Sequence, residues 1–263
     1  MASVVAVDRE RHAGKGWRPA AGYGFATTQA LLPLMGVEFA QAAASMPIAF
    51  IEQAGRYRPV AVLSPVQGRN LFVGPGGQWL GTYVPALLRG YPFGLLRMED
   101  SEKAALCIDE SSGLVVDADG ETQKFFEDDG SPSEAIKAIL NFLQQVEQNR
   151  TVTDLAVAAL AEAGLMAPWP LTVSVDNQPR TVNGFYRVEE AKLNALDDES
   201  FLKLRKSGAL PLAYMQLLSM GRVTVFKQLD QLQRQLSEAA HQAKELSLDE
   251  FFAKARNETL QFS

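Results

Sequence analysis

Short apolar runs alternate with turn residues over residues 46–110, and this pattern predicts that a group of strands lies there. The runs at 48–51 and 59–63 contain β-branched and aromatic residues, and Gly55 lies between them, which favours a hairpin. Residues 70–73 predict another strand before a Gly-rich turn. We expect a mostly antiparallel sheet whose inward side carries these apolar residues: Ile48, Phe50, Val60, Val62, Leu71, Val73, Leu106 and Ile108.

Apolar residues recur at helical spacing on either side of this region. A short helix is predicted within residues 34–44. The clearest helical segment is 131–164, where Ser131 or Ser133 can cap the first turn. The pattern there predicts two helices, the second of which begins near Thr153.

Strands and helices follow one another without a repeating βα unit. This order predicts the α+β class, with a mixed, mostly antiparallel sheet, packed helices and a helical C-terminal tail. We divide the chain into a flexible N-terminal arm at 1–16, an α+β domain at 17–222 and the helical tail at 223–263.

The tail carries a heptad pattern of apolar residues over 223–246. The seam consists of Val225, Leu229, Leu232, Leu236, Ala239, Ala243 and Leu246. Packing on the protein's own domain and a homodimer through 223–246 explain this seam equally well. Ser247 and Glu250 predict a capping box that begins a last, short helix.

Composition and charge disfavour two classes of partner. The chain has 263 residues, is 47% hydrophobic and 21% charged, and carries a net charge of −6. An acidic protein of this kind lacks the clustered Lys and Arg that nucleic acid requires, so no nucleic-acid partner is expected. No stretch of about 18 apolar residues is present, so we expect no membrane insertion. The N-terminus lacks the pattern of a secretory signal, which favours a cytoplasmic location.

Residue counts limit the available chemistry. The chain has two histidines, His12 and His241, and one cysteine, Cys107. A multi-histidine metal site or a histidine-based triad therefore has too few residues, and we predict no metal site and no cofactor. Cys107 lies in an apolar run and is expected to be buried.

Several segments resemble a known family in the same order along the chain. They are MPIAFI, GRNLFVGPGGQWLGTYVPALLRGYPF, LCIDESSG, GLMAPWPLTV, GFYRVEEAKLNAL and LRKSGALPLAYMQLLSMGRV. Together they resemble the SapC-like family of bacterial proteins over roughly residues 17–229. That resemblance implies a link to the paracrystalline surface layer of bacterial cells, and it implies no particular catalytic residues.

Aromatic, arginine and acidic residues at the ends of the predicted elements are the candidates for a site. They are Trp79, Arg89, Tyr91, Asp109 and Glu110. Our first hypothesis is a non-catalytic binding or accessory protein, linked to surface-layer or envelope assembly or export, whose aromatic and arginine residues line a groove for a protein or peptide. The alternative is a metal-independent enzyme that uses Asp109, Glu110 and Arg89 on a small molecule or peptide. Convergent buried carboxylates in an enclosed pocket would favour the enzyme, and an open apolar groove would favour the binder.

Overall fold

A computed structural model describes the backbone of residues 3–97, 104–175 and 178–259, and the side chains of 3–96, 104–173 and 181–242. It confirms the α+β class, with antiparallel sheets and packed helices. The strands are β1 Val4–Ala6, β2 Lys15–Trp17, β3 Leu31–Pro33, β4 Ile48–Gln53, β5 Arg56–Val62, β6 Phe93–Arg97, β7 Ala104–Asp109, β8 Val115–Asp117, β9 Gln123–Lys124, β10 Met166–Pro168, β11 Leu171–Val175, β12 Gln178–Val182 and β13 Phe185–Val188.

Eight α-helices accompany these strands in the described part of the chain, and the last of them is also the longest. They are α1 Arg9–His12, α2 Phe39–Ser45, α3 Ala86–Arg89, α4 Glu134–Glu162, α5 Glu190–Asn194, α6 Asp198–Lys206, α7 Ala209–Ser219 and α8 Val225–Thr259. None of the helices in the described part of the chain is both long and apolar enough to cross a membrane.

The largest sheet has the strand order β10-β13-β4-β5-β3 and is buried on both faces. Ile48 pairs with Ala61, and Ala49 pairs with Val60. Paired residues of antiparallel strands point to the same face and successive residues to opposite faces, so Ile48 and Val60 lie on opposite sides. Both are buried. The expectation of one inward side was therefore wrong, because residues on both faces of β4 and β5 belong to the large core.

A second, smaller core lies beside the first. It is built on the sheets β1-β7-β6 and β8-β2-β9 and on the first half of α4. Ile136 and Leu143 of α4 belong to this small core, whereas Val157 and Leu160 belong to the large one. One helix thus spans both cores. Cys107 of β7 is buried as expected, and this burial raises the pKa of its thiol.

The described part of the N-terminal segment packs against the small core through β1 and α1, which corrects the prediction of a flexible arm at 1–16. Strand β1 pairs with β7, and Val5 packs against the small core. His12 is fully buried, with its ring centre 4.9 Å from that of Phe125. The sequence shows only a short apolar run here. It gives no sign of the pairing, because the partner strand lies about 100 residues later in the chain.

Two predicted elements differ in the structure. Helix α4 continues through Thr153, whose hydroxyl donates to the Asn149 carbonyl within the helix and accepts from the Gly36 N–H outside it. The start of α4 confirms Ser133, one of the two predicted capping residues, because the Ser133 hydroxyl accepts a hydrogen bond from Ile136 N. Residues 70–73 form no strand; they make one bridge, between Val73 and Trp79.

Helix α8 is docked on the protein by its first turns. Phe226, Leu229 and Asp230 are buried, and the two N–H groups of the Gln233 amide share three backbone carbonyl acceptors within residues 70–73, at 2.6–3.2 Å from the amide nitrogen. The helix runs without a break past Ser247, so the predicted separate last helix is wrong.

The seam itself is only partly used by this docking. Leu229 is buried, but Leu232 is 37% exposed and Leu236 is half-buried. Ala243 and Leu246, the last two seam residues, have side chains outside the described ones.

The homodimer through 223–246 stays a prediction, which now rests on the outer part of the seam. We expect the wild-type protein to sediment as a dimer and the double variant Leu232→Asp, Leu236→Asp to sediment as a folded monomer. Burial of each of these leucines in the dimer interface would stabilise the dimer by roughly 1.5–3 kcal/mol. A charged aspartate at the same position would remove that contribution. Gln235→Asp, at an exposed position outside the seam, is the matched control. A monomeric wild-type protein would contradict the prediction.

Candidate functional site

A cleft of about 560 Å³ lies where the two cores meet. Its volume falls within the range of about 300–1,000 Å³ that is usual for ligand pockets. Three separate segments of the chain supply its walls: residues 17–25, 88–93 and 138–142. The aromatic residues that line it are Trp17, Tyr23, Phe25, Tyr91, Phe93 and Phe142.

A close approach of two loops places Tyr23 in the wall of the cleft. Tyr23 N donates to the Gly77 carbonyl at 2.6 Å. A Cβ on Gly22 would lie 2.8 Å from that same oxygen, so only glycine fits at this position. The GYG sequence therefore serves a backbone contact, and the contact sets where the aromatic ring lies.

The opposite wall is formed by the end of α3 and the residues that follow. Tyr91 stacks on Phe25 with ring centres 3.7 Å apart and ring planes 8° from parallel. Gly90 lets this segment approach α4, because a Cβ there would be 3.0 Å from Leu143 Cδ2. The approach brings the Arg89 guanidinium to 5.4 Å from the centre of the Phe142 ring.

Arg89 is the one charged residue that lines the cleft among the residues described. Its side chain is exposed, and no carboxylate of the described residues lies within 4.0 Å of the guanidinium. A guanidinium presents a planar set of donors that matches carboxylates and phosphates. The cleft therefore combines an aromatic lining with one arginine that has no carboxylate partner among the described residues.

A buried carboxylate lies behind this wall. Glu38 is 4% exposed, and its Oε1 accepts from the Tyr83 hydroxyl at 2.8 Å and from Ala86 N at 2.7 Å. Its Oε2 accepts from Met35 N at 2.9 Å. Burial and the bond to Glu38 raise the pKa of Tyr83, while nearby Arg89 opposes that rise. Glu38 thus fixes both the first residue of α3 and the tyrosine beside Arg89.

Two of the five predicted site residues, Arg89 and Tyr91, line the cleft. Trp79 lies behind the wall: its indole N–H donates to the Tyr83 carbonyl at 2.9 Å, and its ring contacts those of Phe72 and Tyr23. It supports the cleft rather than facing into it.

The predicted carboxylates, Asp109 and Glu110, are engaged elsewhere. Asp109 Oδ1 accepts from the N–H and the hydroxyl of Ser111. Burial raises the pKa of Tyr91, and the charge of Asp109 adds to this rise. Glu110 binds Arg11 through both carboxylate oxygens at 2.7 and 2.5 Å, and its Oε1 lies 3.5 Å from the Nε2 of His12. These two carboxylates therefore do not converge on Arg89.

The sequence reasoning missed several residues of the cleft and its support. Tyr23 and Phe25 lie in an aromatic and glycine-rich run, a pattern that an ordinary turn also explains. Phe142 follows the helical spacing of core residues, and Glu38 lies in a short helical segment, so neither stands out. A partial signal existed, since the aromatic run at 17–25 is denser than a surface turn needs.

The Arg11–Glu110 pair predicts an acid-dependent loss of stability. Arg11 lowers the pKa of Glu110, mainly through its hydrogen bonds. A carboxylate with a lowered pKa stabilises the fold at neutral pH, and that contribution is lost as pH falls through the folded-state pKa. We expect Glu110→Gln to lower the melting temperature at pH 7, and the difference from wild type to shrink below about pH 4.

Differential scanning calorimetry at several pH values checks this expectation. Glu121→Gln is the control, because Glu121 lies in an exposed turn. A melting-temperature difference that is the same at pH 7 and pH 3 would show that the ion pair does not hold the N-terminal residues.

Within the part of the chain that the structure describes, no group of three or more His, Cys, Asp or Glu side chains could hold a metal ion. Comparison with protein-family models gives a match to the family described as SapC, over residues 7–225. Searches among curated proteins and solved structures found no match.

Proposed function

The chain belongs to the SapC family, and on that premise we propose that it is a non-catalytic binding or accessory protein that holds a segment of a partner polypeptide in the cleft between its two cores. The observation that carries the proposal is the lining of this cleft. Aromatic rings from three distant segments converge there with one arginine, and no carboxylate lines it among the described residues.

The position of the acidic residues supports binding over acid–base catalysis. A general acid or base must come within about 3 Å of the proton that it transfers. Glu110 is held by Arg11, and Asp109 caps the turn that contains Ser111. An enzyme that uses these two carboxylates with Arg89 would need both to leave those partners.

The proposed partner is a protein or peptide. Aromatic residues and arginine are enriched where proteins bind one another, because they contribute large contact areas and directed hydrogen bonds. The surface-layer link that the sequence resemblance implies suggests a surface-layer or cell-envelope protein as this partner, bound during its assembly or export. We expect the two proteins to meet in the cytoplasm.

Filling the cleft tests the proposal. Peptides are first selected from a displayed library on the wild-type protein. Ala138 lines the cleft from an exposed position on α4, so Ala138→Trp should fill the cleft without disturbing a core. We expect the selected peptides to lose at least tenfold in affinity for this variant.

Ala158→Trp is the matched control, since Ala158 is also exposed on α4 but lies outside the cleft. It should bind the selected peptides as the wild type does. Peptides that bind Ala138→Trp as tightly as wild type would contradict the proposed function, as would a library that yields no binder.

A further inference from the structure

We propose that the cleft binds the carboxyl-terminal residue of its partner, with the terminal carboxylate on Arg89 and an aromatic or large aliphatic side chain among the rings. This inference rests on the proposed function and names the part of the partner that is recognised. Charge, preorganisation and the spacing of the two subsites support it.

The charge of the cleft is opposite to that of the whole protein. The chain carries a net charge of −6, yet the single charge that lines the cleft among the described residues is the positive charge of Arg89. No carboxylate of the described residues lies within 4.0 Å of the guanidinium. One anionic group of a ligand would therefore complete the site.

Arg89 is held in place before a ligand arrives. Its guanidinium carbon lies over the Phe142 ring, and Tyr83 lies close to the same guanidinium. Tyr83 is itself fixed by its hydrogen bond to the buried Glu38. Groups that are already ordered lose less entropy on binding, so this chain of contacts favours a directed, two-pronged bond to a carboxylate.

The charged and apolar subsites are adjacent. The guanidinium carbon lies 5.4 Å from the centre of the Phe142 ring, and Ile139, three residues before Phe142 on α4, also lines the cleft. A carboxyl-terminal residue carries its carboxylate and its side chain on one Cα, which suits this short separation. An internal Asp or Glu would have to supply the apolar group from another residue.

An unpaired donor also lies at the cleft. Trp17 lines it, and the buried indole N–H of Trp17 has no acceptor among the described residues. Buried donors are usually paired. A backbone carbonyl of a bound peptide is the acceptor that we assign to it, after a small movement of the ring.

A pair of matched peptides tests the inference. Acetyl-Gly-Ala-Phe with a free carboxylate and the same peptide with a terminal amide are titrated into the full-length protein. Binding is followed by calorimetry and by the indole resonance of Trp17 in NMR spectra. We expect the acid to bind at least tenfold more tightly than the amide, which corresponds to about 1.4 kcal/mol.

Variants assign that preference to Arg89. Arg89→Gln should bind the acid no better than the amide, and Arg89→Lys should retain part of the preference. Tyr83→Phe, a change to a positioning residue, should reduce the preference severalfold while leaving the affinity for the amide unchanged. Arg205→Gln, at an exposed position outside the cleft, should behave as wild type.

Different failures separate this inference from the proposed function. Equal binding of acid and amide, or no binding of either, would overturn the carboxylate anchor; the proposed function would still stand if Ala138→Trp abolishes the binding of the library peptides. A preference that persists in Arg89→Gln would overturn the role of Arg89. If 3-phenylpropionate binds as tightly as the acid peptide, the ligand is a small aromatic acid and the peptide assignment is wrong.

Discussion

Replacing Glu38 by alanine is expected to lower the free energy of unfolding by about 3–5 kcal/mol. The change leaves three donors without an acceptor: Met35 N, Ala86 N and the Tyr83 hydroxyl. Two of them are backbone groups in buried surroundings, where an unsatisfied donor costs about 1–3 kcal/mol. Urea unfolding followed by circular dichroism measures the effect.

Gln41→Ala is the control for this measurement, because Gln41 lies on the exposed side of α2 and should change stability by less than about 0.5 kcal/mol. Glu38→Gln should give an intermediate loss, since one amide oxygen can still accept while the amide nitrogen replaces the second acceptor. If Glu38→Ala were as stable as Gln41→Ala, Glu38 would not be what holds Tyr83 and the start of α3.

Removal of α8 is the second change with a large expected effect. A chain that ends at Thr224 loses Phe226 and Leu229 from the large core, each of which contributes roughly 1.5–3 kcal/mol by burial. It also loses Gln233, whose amide holds the loop at 70–73. We expect a loss of about 3–6 kcal/mol in the free energy of unfolding, a large fraction of the roughly 5–15 kcal/mol that is typical of a folded domain.

A chain that ends at Ala240 is the matched control, because it keeps every one of these contacts. It should unfold at nearly the urea concentration of the full-length chain. Phe226→Ala gives a second measure if the shorter chain does not fold at all, with an expected loss of about 3–5 kcal/mol. Equal stability of all these chains would mean that 223–263 is a separate tail, as the sequence alone predicted.

The sequence predicted those elements whose evidence is local. Alternating apolar residues identify β4 and β5, and Ser133 marks the start of α4. The flexible arm was wrong because β1 pairs with a distant strand, and nothing in a run of four apolar residues specifies that partner. The break at Thr153 was wrong because its hydroxyl bonds within the helix.

The candidate site was predictable only in part, because most of its contacts join residues that are distant in the sequence. Arg89 and Tyr91 stood out because they lie at the end of a short helix next to glycine and proline. Glu110 looked equally promising, but its partner Arg11 lies 99 residues away in the sequence. The cleft exists because α4 spans both cores, and the assembly of three distant segments around one helix leaves no local pattern.

Hydrogen–deuterium exchange with and without a bound library peptide would locate the partner on the protein. The peptide should slow exchange in the three segments that meet at the cleft, residues 17–25, 88–93 and 138–142. Protection confined to α7, where Tyr214 and Leu218 expose another apolar surface, would contradict this prediction and place the partner elsewhere.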